Sequence, residues 1–159
     1  IISPGNRTGV AVADPAVIRK MEIGKQGTDL HTPNLSQMIT YEYLRRGYLA
    51  PDLEKAVKIY GKKKGAMSEA IRKYMPEEFE CTDPDGGLFI WGRLPERIDA
   101  AKLLPEAVAR KKVAYIQGSV FFADGGGTNY IRLNYSYANV AQIEEGIKRL
   151  AELFKEKLA

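Results

Sequence analysis

The chain has 159 residues, is 45% apolar and 28% charged, and carries a formal net charge of +4, the make-up of an ordinary globular protein with room for one domain or one domain and part of another. A single cysteine (Cys81) and a single histidine (His31) exclude an internal disulfide and leave no plausible ligand set for structural zinc, so no metal and a reducing, cytoplasmic setting are expected. No run approaches the roughly 18 apolar residues that a membrane helix needs, and no signal-peptide pattern opens the chain.

The opening Ile1-Ile2-Ser3-Pro4 lacks methionine and begins on two apolar β-branched residues, which reads as the interior of a larger structure and hence as a fragment. Residues Thr8 to Ala13 form a short apolar run, predicted to be a buried strand. Asp14-Pro15 then caps and opens a helix with Val17, Ile18 and Met21 on its apolar face. A loop over 27–33 leads to a second helix from about Asn34 to Arg46, ended by Gly47. A long helix is predicted over 51–74. Leu53, Val57, Tyr60, Met67, Ile71 and Tyr74 recur at three-, four- and seven-residue spacings along one face. Within it, Lys62-Lys63-Lys64 lacks interleaved aromatics, so it reads as a solvated face and not as a nucleic-acid site.

Two short strands, 78–82 and 87–92, flank the turn sequence Asp83-Pro84-Asp85-Gly86. Residues 99–111 are predicted helical with a break near Pro105. Residues 113–116 and 120–122 read as short strands around Gly118, with Phe121 and Phe122 expected in the core on one side and one ring able to reach a cleft, and Gly125-Gly126-Gly127 reads as a flexible loop. The strand Asn129–Ser136 follows. Asn139 and Gln142 then form a capping-box pattern ahead of a final helix striped by Val140, Ile143, Ile147, Leu150, Ala151, Phe154 and Leu158. From residue 51 onward this order predicts an α+β sandwich, a mainly antiparallel sheet covered by helices on one side.

Two arginines stand out chemically. Alternation along 130–136 turns Ile131, Leu133 and Tyr135 to one face and Tyr130, Arg132, Asn134 and Ser136 to the other. A guanidinium fixed mid-strand between polar neighbours suits a carboxylate, which it can grip through two parallel hydrogen bonds. Solvation or pairing with a protein acid is the alternative. Arg7, in Ser3-Pro4-Gly5-Asn6-Arg7-Thr8-Gly9, is presented from a turn beside the apolar run, where a phosphate or carboxylate is the anion it would bind best. His31 has no serine or cysteine nucleophile pattern near it, so a hydrolase triad has no support.

The segments Ser3–Gly9, Asp29–Thr32 with Leu35-Ser36-Gln37, Gly86–Trp91 and Asn129–Asn134 occur in an order that resembles the C-terminal portion of class I/II aminotransferases dependent on pyridoxal 5′-phosphate (fold type I). The nearest likeness is to the 2-aminoadipate, kynurenine and aromatic aminotransferase branch, and it covers essentially the whole chain. The resemblance implies an α/β fold in which residues 1–50 end the large cofactor-binding domain and form the dimer-contact region. Residues 51–159, with the long linking helix, would be the C-terminal small domain. It further implies that Arg7 pairs with the cofactor phosphate, that Arg132 binds the α-carboxylate of α-amino acid and 2-oxoacid substrates, and that the parent is a homodimer. In that family the Schiff-base lysine closes a Ser-x-Ser-Lys-type segment just before the position of Ile1. No lysine here has that context, so this chain alone is expected not to transaminate. Rival parents are a winged-helix transcription regulator with an aminotransferase-like domain and another fold type I enzyme.

Overall fold

The computed structural model describes residues 2–159; Ile1, with which the apolar opening begins, lies outside them. Two compact units form, Ile1–Ala56 and Val57–Ala159, dividing inside one long helix.

In the first unit a 3-10 turn, Pro4–Asn6, precedes helix α1 (Pro15–Thr28) and helix α2 (Asn34–Arg45). The Asp14 carboxylate accepts from the Ala16 N–H at 2.8 Å and Pro15 takes the first turn, as its missing N–H allows. Gly47 ends α2 with φ +73°, a conformation open to a residue without Cβ. The apolar run at 8–13 departs from expectation. It forms no regular element and joins no strand among the described residues, and Val10 and Val12 stay 89% and 93% exposed. An apolar run is buried only where another strand and a covering layer meet it, and this unit supplies neither.

Helix α3 (Leu49–Tyr74) begins two residues earlier than predicted, and its apolar stripe is buried only in its last third, at Met67, Ala70 and Ile71. Leu53 and Val57, expected on the same buried stripe, are exposed.

The second unit is a four-stranded sheet in the order β1-β2-β4-β3, with β1 (Glu80–Cys81), β2 (Phe89–Arg93), β3 (Ile116–Gln117) and β4 (Tyr130–Asn134), every neighbouring pair antiparallel. The predicted antiparallel sheet with helices on one side is what forms. Ile90, Ile131 and Leu133 turn inward and pack with Met67 and Ile71 of α3, Leu103 of α4 (Ala100–Glu106) and the inner stripe of α5 (Val140–Leu158). Asn139 and Gln142 make both halves of the capping box at 2.9 and 3.0 Å. The α5 stripe buries Ile143, Ile147, Leu150, Ala151 and Phe154 as predicted, and Leu153 as well.

The region from 99 to 122 is rearranged relative to expectation. Asp99 caps α4 through the Ala101 and Lys102 N–H groups, and a wider π-type turn, Ala107–Lys111, takes up the rest of the predicted helix after Pro105. The two short strands predicted around Gly118 become one, β3, followed by a 3-10 turn over Gly118–Phe121.

Tyr115 is buried and its hydroxyl donates to the Ala100 carbonyl at 2.8 Å. Burial pushes its ionisation well above the usual phenol value of 10, and the charge of Asp99 adds to the effect. Below pH 10 both folded and unfolded forms keep the proton, so the group adds no pH dependence there. Above that value the unfolded chain gives it up first, and stability falls as pH rises toward the folded-state value. Tyr115→Phe is therefore expected to flatten the loss of stability above about pH 10, read as urea midpoints across pH 8 to about 11. Equal alkaline slopes in both proteins would remove Tyr115 as the cause. Leu150→Ala, at a fully buried position, is expected to cost about 2–5 kcal/mol in the same assay.

Candidate functional site

Strand β4 carries Arg132 in the middle of the sheet, and the packing follows the alternation read from its sequence. Ile131, Leu133 and Tyr135 are buried on the helix side, while Tyr130 and Arg132 lie on the open side. The ends of the strand are pinned. Leu94 N–H donates to the Asn129 carbonyl at 2.9 Å, and the buried Asn129 side chain donates back to the Leu94 carbonyl. Beyond the other end, the Lys63 ammonium donates to the Ser136 and Tyr137 carbonyls at 2.7 and 3.3 Å. Lys64 pairs with Asp83. Of the three lysines expected on a solvated face, only Lys62 is exposed, because the other two reach across to loops that their own helix does not reveal.

Register places Trp91 opposite Arg132 on β2, Arg93 opposite Tyr130, and Ile116 opposite Arg132 on β3. The open side is therefore aromatic. Trp91 stacks on Tyr130 at 5.5 Å between ring centres and on Phe122 at 6.3 Å, and meets the edge of Phe121 at 5.7 Å. Phe121 and Phe122, expected in the core with one ring able to reach a cleft, both remain partly exposed on this platform, at 49% and 37%. The bend that brings them here depends on Gly118, where a Cβ would lie 2.3 Å from the Tyr130 Cβ, so only a glycine lets the turn rest on β4. Glu80, Cys81, Thr82, Trp91, Arg93 and Tyr130 line an open hollow of about 330 Å³ along the same face.

Two arginines share this face and differ in one respect. Arg93 meets Glu80 at 2.9 Å and is neutralised. Arg132 makes no ion pair and no side-chain hydrogen bond with any described residue; its Cζ stands 4.0 Å from the centre of the Phe89 ring and 4.5 Å from that of Phe121. Its Nε is covered and unpartnered, and its two terminal nitrogens make no hydrogen bond to a described residue. A guanidinium without an acidic partner has the donor geometry that a planar anion can accept from.

Arg7 belongs to the other unit. It closes the Pro4–Asn6 turn in the left-handed region, φ 51°, with its N–H donating to the Pro4 carbonyl at 3.2 Å. Its side chain is exposed and has no acidic partner among the described residues. His31 is likewise in a loop, its Nδ1 3.0 Å from the Thr32 carbonyl oxygen. Among the described residues no group of three or more histidine, cysteine or acidic side chains could hold a metal, and no helix is long and apolar enough to cross a membrane.

The sequence pattern of the family Aminotransferase class I and II matches residues 2–150. The chain belongs to that family.

It is 44% identical to an aromatic-amino-acid aminotransferase of Thermococcus litoralis, over 99% of this chain and 38% of that protein. It is 40% identical to a 2-aminoadipate transaminase of Thermus thermophilus, over 100% of this chain and 40% of that one. The solved structure of an α-aminoadipate aminotransferase from Thermus thermophilus, complexed with N-(5′-phosphopyridoxyl)-L-leucine, superposes with a TM-score of 0.84 at 40% identity, covering 98% of this chain and 39% of that chain. This member of the aminotransferase class I and II family thus spans about two fifths of the length of those relatives.

Sequence reasoning singles out Arg132 and allows one ring of Phe121 and Phe122 to reach a cleft, but does not reveal that Phe89 and Phe121 meet Arg132. Alternation from Trp91 gives the side of Phe89, but its approach to Arg132 needs the β2–β4 register, and Phe121 needs the Gly118 bend. Gly118→Ala is expected to displace the turn at a cost of about 1–3 kcal/mol. The aromatic near-ultraviolet circular dichroism around Trp91 should weaken while the far-ultraviolet spectrum is kept. An unchanged near-ultraviolet spectrum would contradict the packing described.

Proposed function

We propose that the chain supplies the substrate-carboxylate part of an aminotransferase that uses pyridoxal 5′-phosphate and moves an amino group from an α-amino acid to a 2-oxoacid. One observation carries the reading: Arg132 is a fixed guanidinium on a sheet face, with its terminal nitrogens free and no acid beside it. Relatives named as aminotransferases at 40–44% identity support the enzyme over the regulator, whose named likenesses stand at 30%.

The cofactor, when bound, supplies the aldehyde and the electron sink on which amino-group transfer depends. The residues of this chain would bind and orient. Arg132 grips the carboxylate through two parallel hydrogen bonds, which fixes the rotation of the substrate about its Cα–carboxylate axis and so directs the Cα–H bond. Arg7, exposed and unpaired, suits a phosphate by charge and by its fork of donors, so the residues present fit the cofactor's anionic end. The proton-moving lysine would come from outside this chain's own motifs. A homodimer is consistent with a first unit in which no residue from 2 to 56 is buried and in which Leu30 and Leu35 are 70% and 73% exposed. The single cysteine supports a cytoplasmic setting.

In a protein of the relatives' full length, Arg132→Lys is expected to raise KM for both amino donor and 2-oxoacid by roughly tenfold or more, because a point charge keeps attraction but loses the two-pronged geometry. An unchanged KM for both substrates removes the role. The 159-residue chain by itself, mixed with pyridoxal phosphate and an amino acid, is expected to release no 2-oxoacid; turnover would overturn that.

A further inference from the structure

A cation in a protein is ordinarily fixed by a counter-charge, as Arg93 is by Glu80. Arg132 is fixed otherwise. The strands on either side of β4 each deliver one ring to it, Phe89 from β2 and Phe121 from the turn after β3, at 4.0 and 4.5 Å from Cζ. Aromatic faces attract a guanidinium through the ring quadrupole but do not neutralise it and present no acceptor that competes with a ligand. An acid in the same place would hold the side chain equally well and would have to be displaced by every incoming carboxylate.

The atoms divide accordingly. Nε is covered and left without a partner, whereas the terminal nitrogens make no hydrogen bond to a described residue and are left for a ligand. The two rings also differ in mounting. Phe89 sits on a strand whose next residue, Ile90, is fully buried, and Phe121 is half exposed on a 3-10 turn at the sheet's edge.

We propose that Phe89 and Phe121 are positioning residues, an aromatic clamp that orients the Arg132 guanidinium without discharging it and leaves its terminal-nitrogen edge set for a carboxylate. The inference rests on the reading of Arg132 as a carboxylate receptor.

The test has two arms. In the nitrogen-15-labelled 159-residue chain, exchange of the Arg132 Nε–H with water is measured by NMR in the native protein, Phe121→Leu, Phe89→Leu and Phe121→Tyr. In a protein of the relatives' full length, 3-phenylpropionate and its neutral amide are titrated against the same variants and Arg132→Gln. Both leucine variants are expected to speed exchange roughly tenfold and to weaken acid binding roughly 3- to 30-fold while leaving the amide unchanged. Phe121→Tyr, which keeps the ring face, should behave as native. Should Phe89→Leu fail to fold, Phe121→Leu decides alone, since its half-exposed site accommodates leucine. Unchanged exchange, or unchanged acid affinity, or equal losses for acid and amide overturn the clamp while Arg132→Gln still abolishes the acid preference. A native protein without acid preference, or one that keeps it in Arg132→Gln, sinks the carboxylate reading and the clamp with it.

Discussion

An arginine on an open sheet face, held by two phenylalanine rings and by no carboxylate, is the constraint around which the second unit is arranged. Cation–π contacts of this kind stabilise by about 0.5–2 kcal/mol each, and leaving a covered N–H without a partner costs about 1–3 kcal/mol. The two contributions are of the same size. The clamp therefore adds little net stability and serves instead to fix a direction. Arg93, on the same face with Glu80 2.9 Å away, shows what an arginine kept for structure looks like in the same setting. The contrast between the two makes the missing partner of Arg132 informative, since both lie on the same face of the same sheet.

Fixing a direction requires a stiff mount, and the helix side of the sheet provides it. Strand β4 has paired neighbours on both sides, and Ile131 and Leu133 lock into the cluster formed by α3, α4 and α5. Its entry is held by reciprocal bonds between Asn129 and Leu94, and its exit by Lys63 from α3. A guanidinium at the end of a long side chain would still sweep a wide arc from a rigid backbone. The rings remove that freedom without a charge, which a backbone alone cannot do.

Much of this was legible in the chain, and the misses have a common physical cause. Helix starts at Asp14, Asp99 and Asn139 and the stop at Gly47 are local chemistry, decided within three or four residues, so the sequence displays them. The two faces of β4 follow from a period of two and needed no partner to be read. The run 8–13 could not be resolved this way, because apolar residues state a demand for burial and not whether a partner meets it. Residues 120–122 look like a strand until Gly118 is known to rest on Tyr130, a contact between segments twelve residues apart. Lys63 reads as a surface charge in the sequence for the same reason: its acceptors lie more than seventy positions away. The clamp combines two such non-local facts, a strand register and a bend.

Arg7 and Arg132, one in each unit, illustrate two ways to fix a charge. Arg7 has a constrained backbone and a free side chain: its left-handed φ of 51° costs about 1–2 kcal/mol for a residue with a Cβ, and its guanidinium is exposed. Arg132 has a regular strand backbone and a confined side chain. The division suits the anions assigned to them. A phosphate spreads its charge over three oxygens and can be met from several angles, so a well-placed anchor with a mobile fork suffices. A carboxylate that must also set the rotation of its own Cα needs the plane of the fork defined, because an error there carries directly into the alignment of the bond to be broken. That requirement, more than affinity, is what two unionised rings beside Arg132 satisfy and an acidic partner would not.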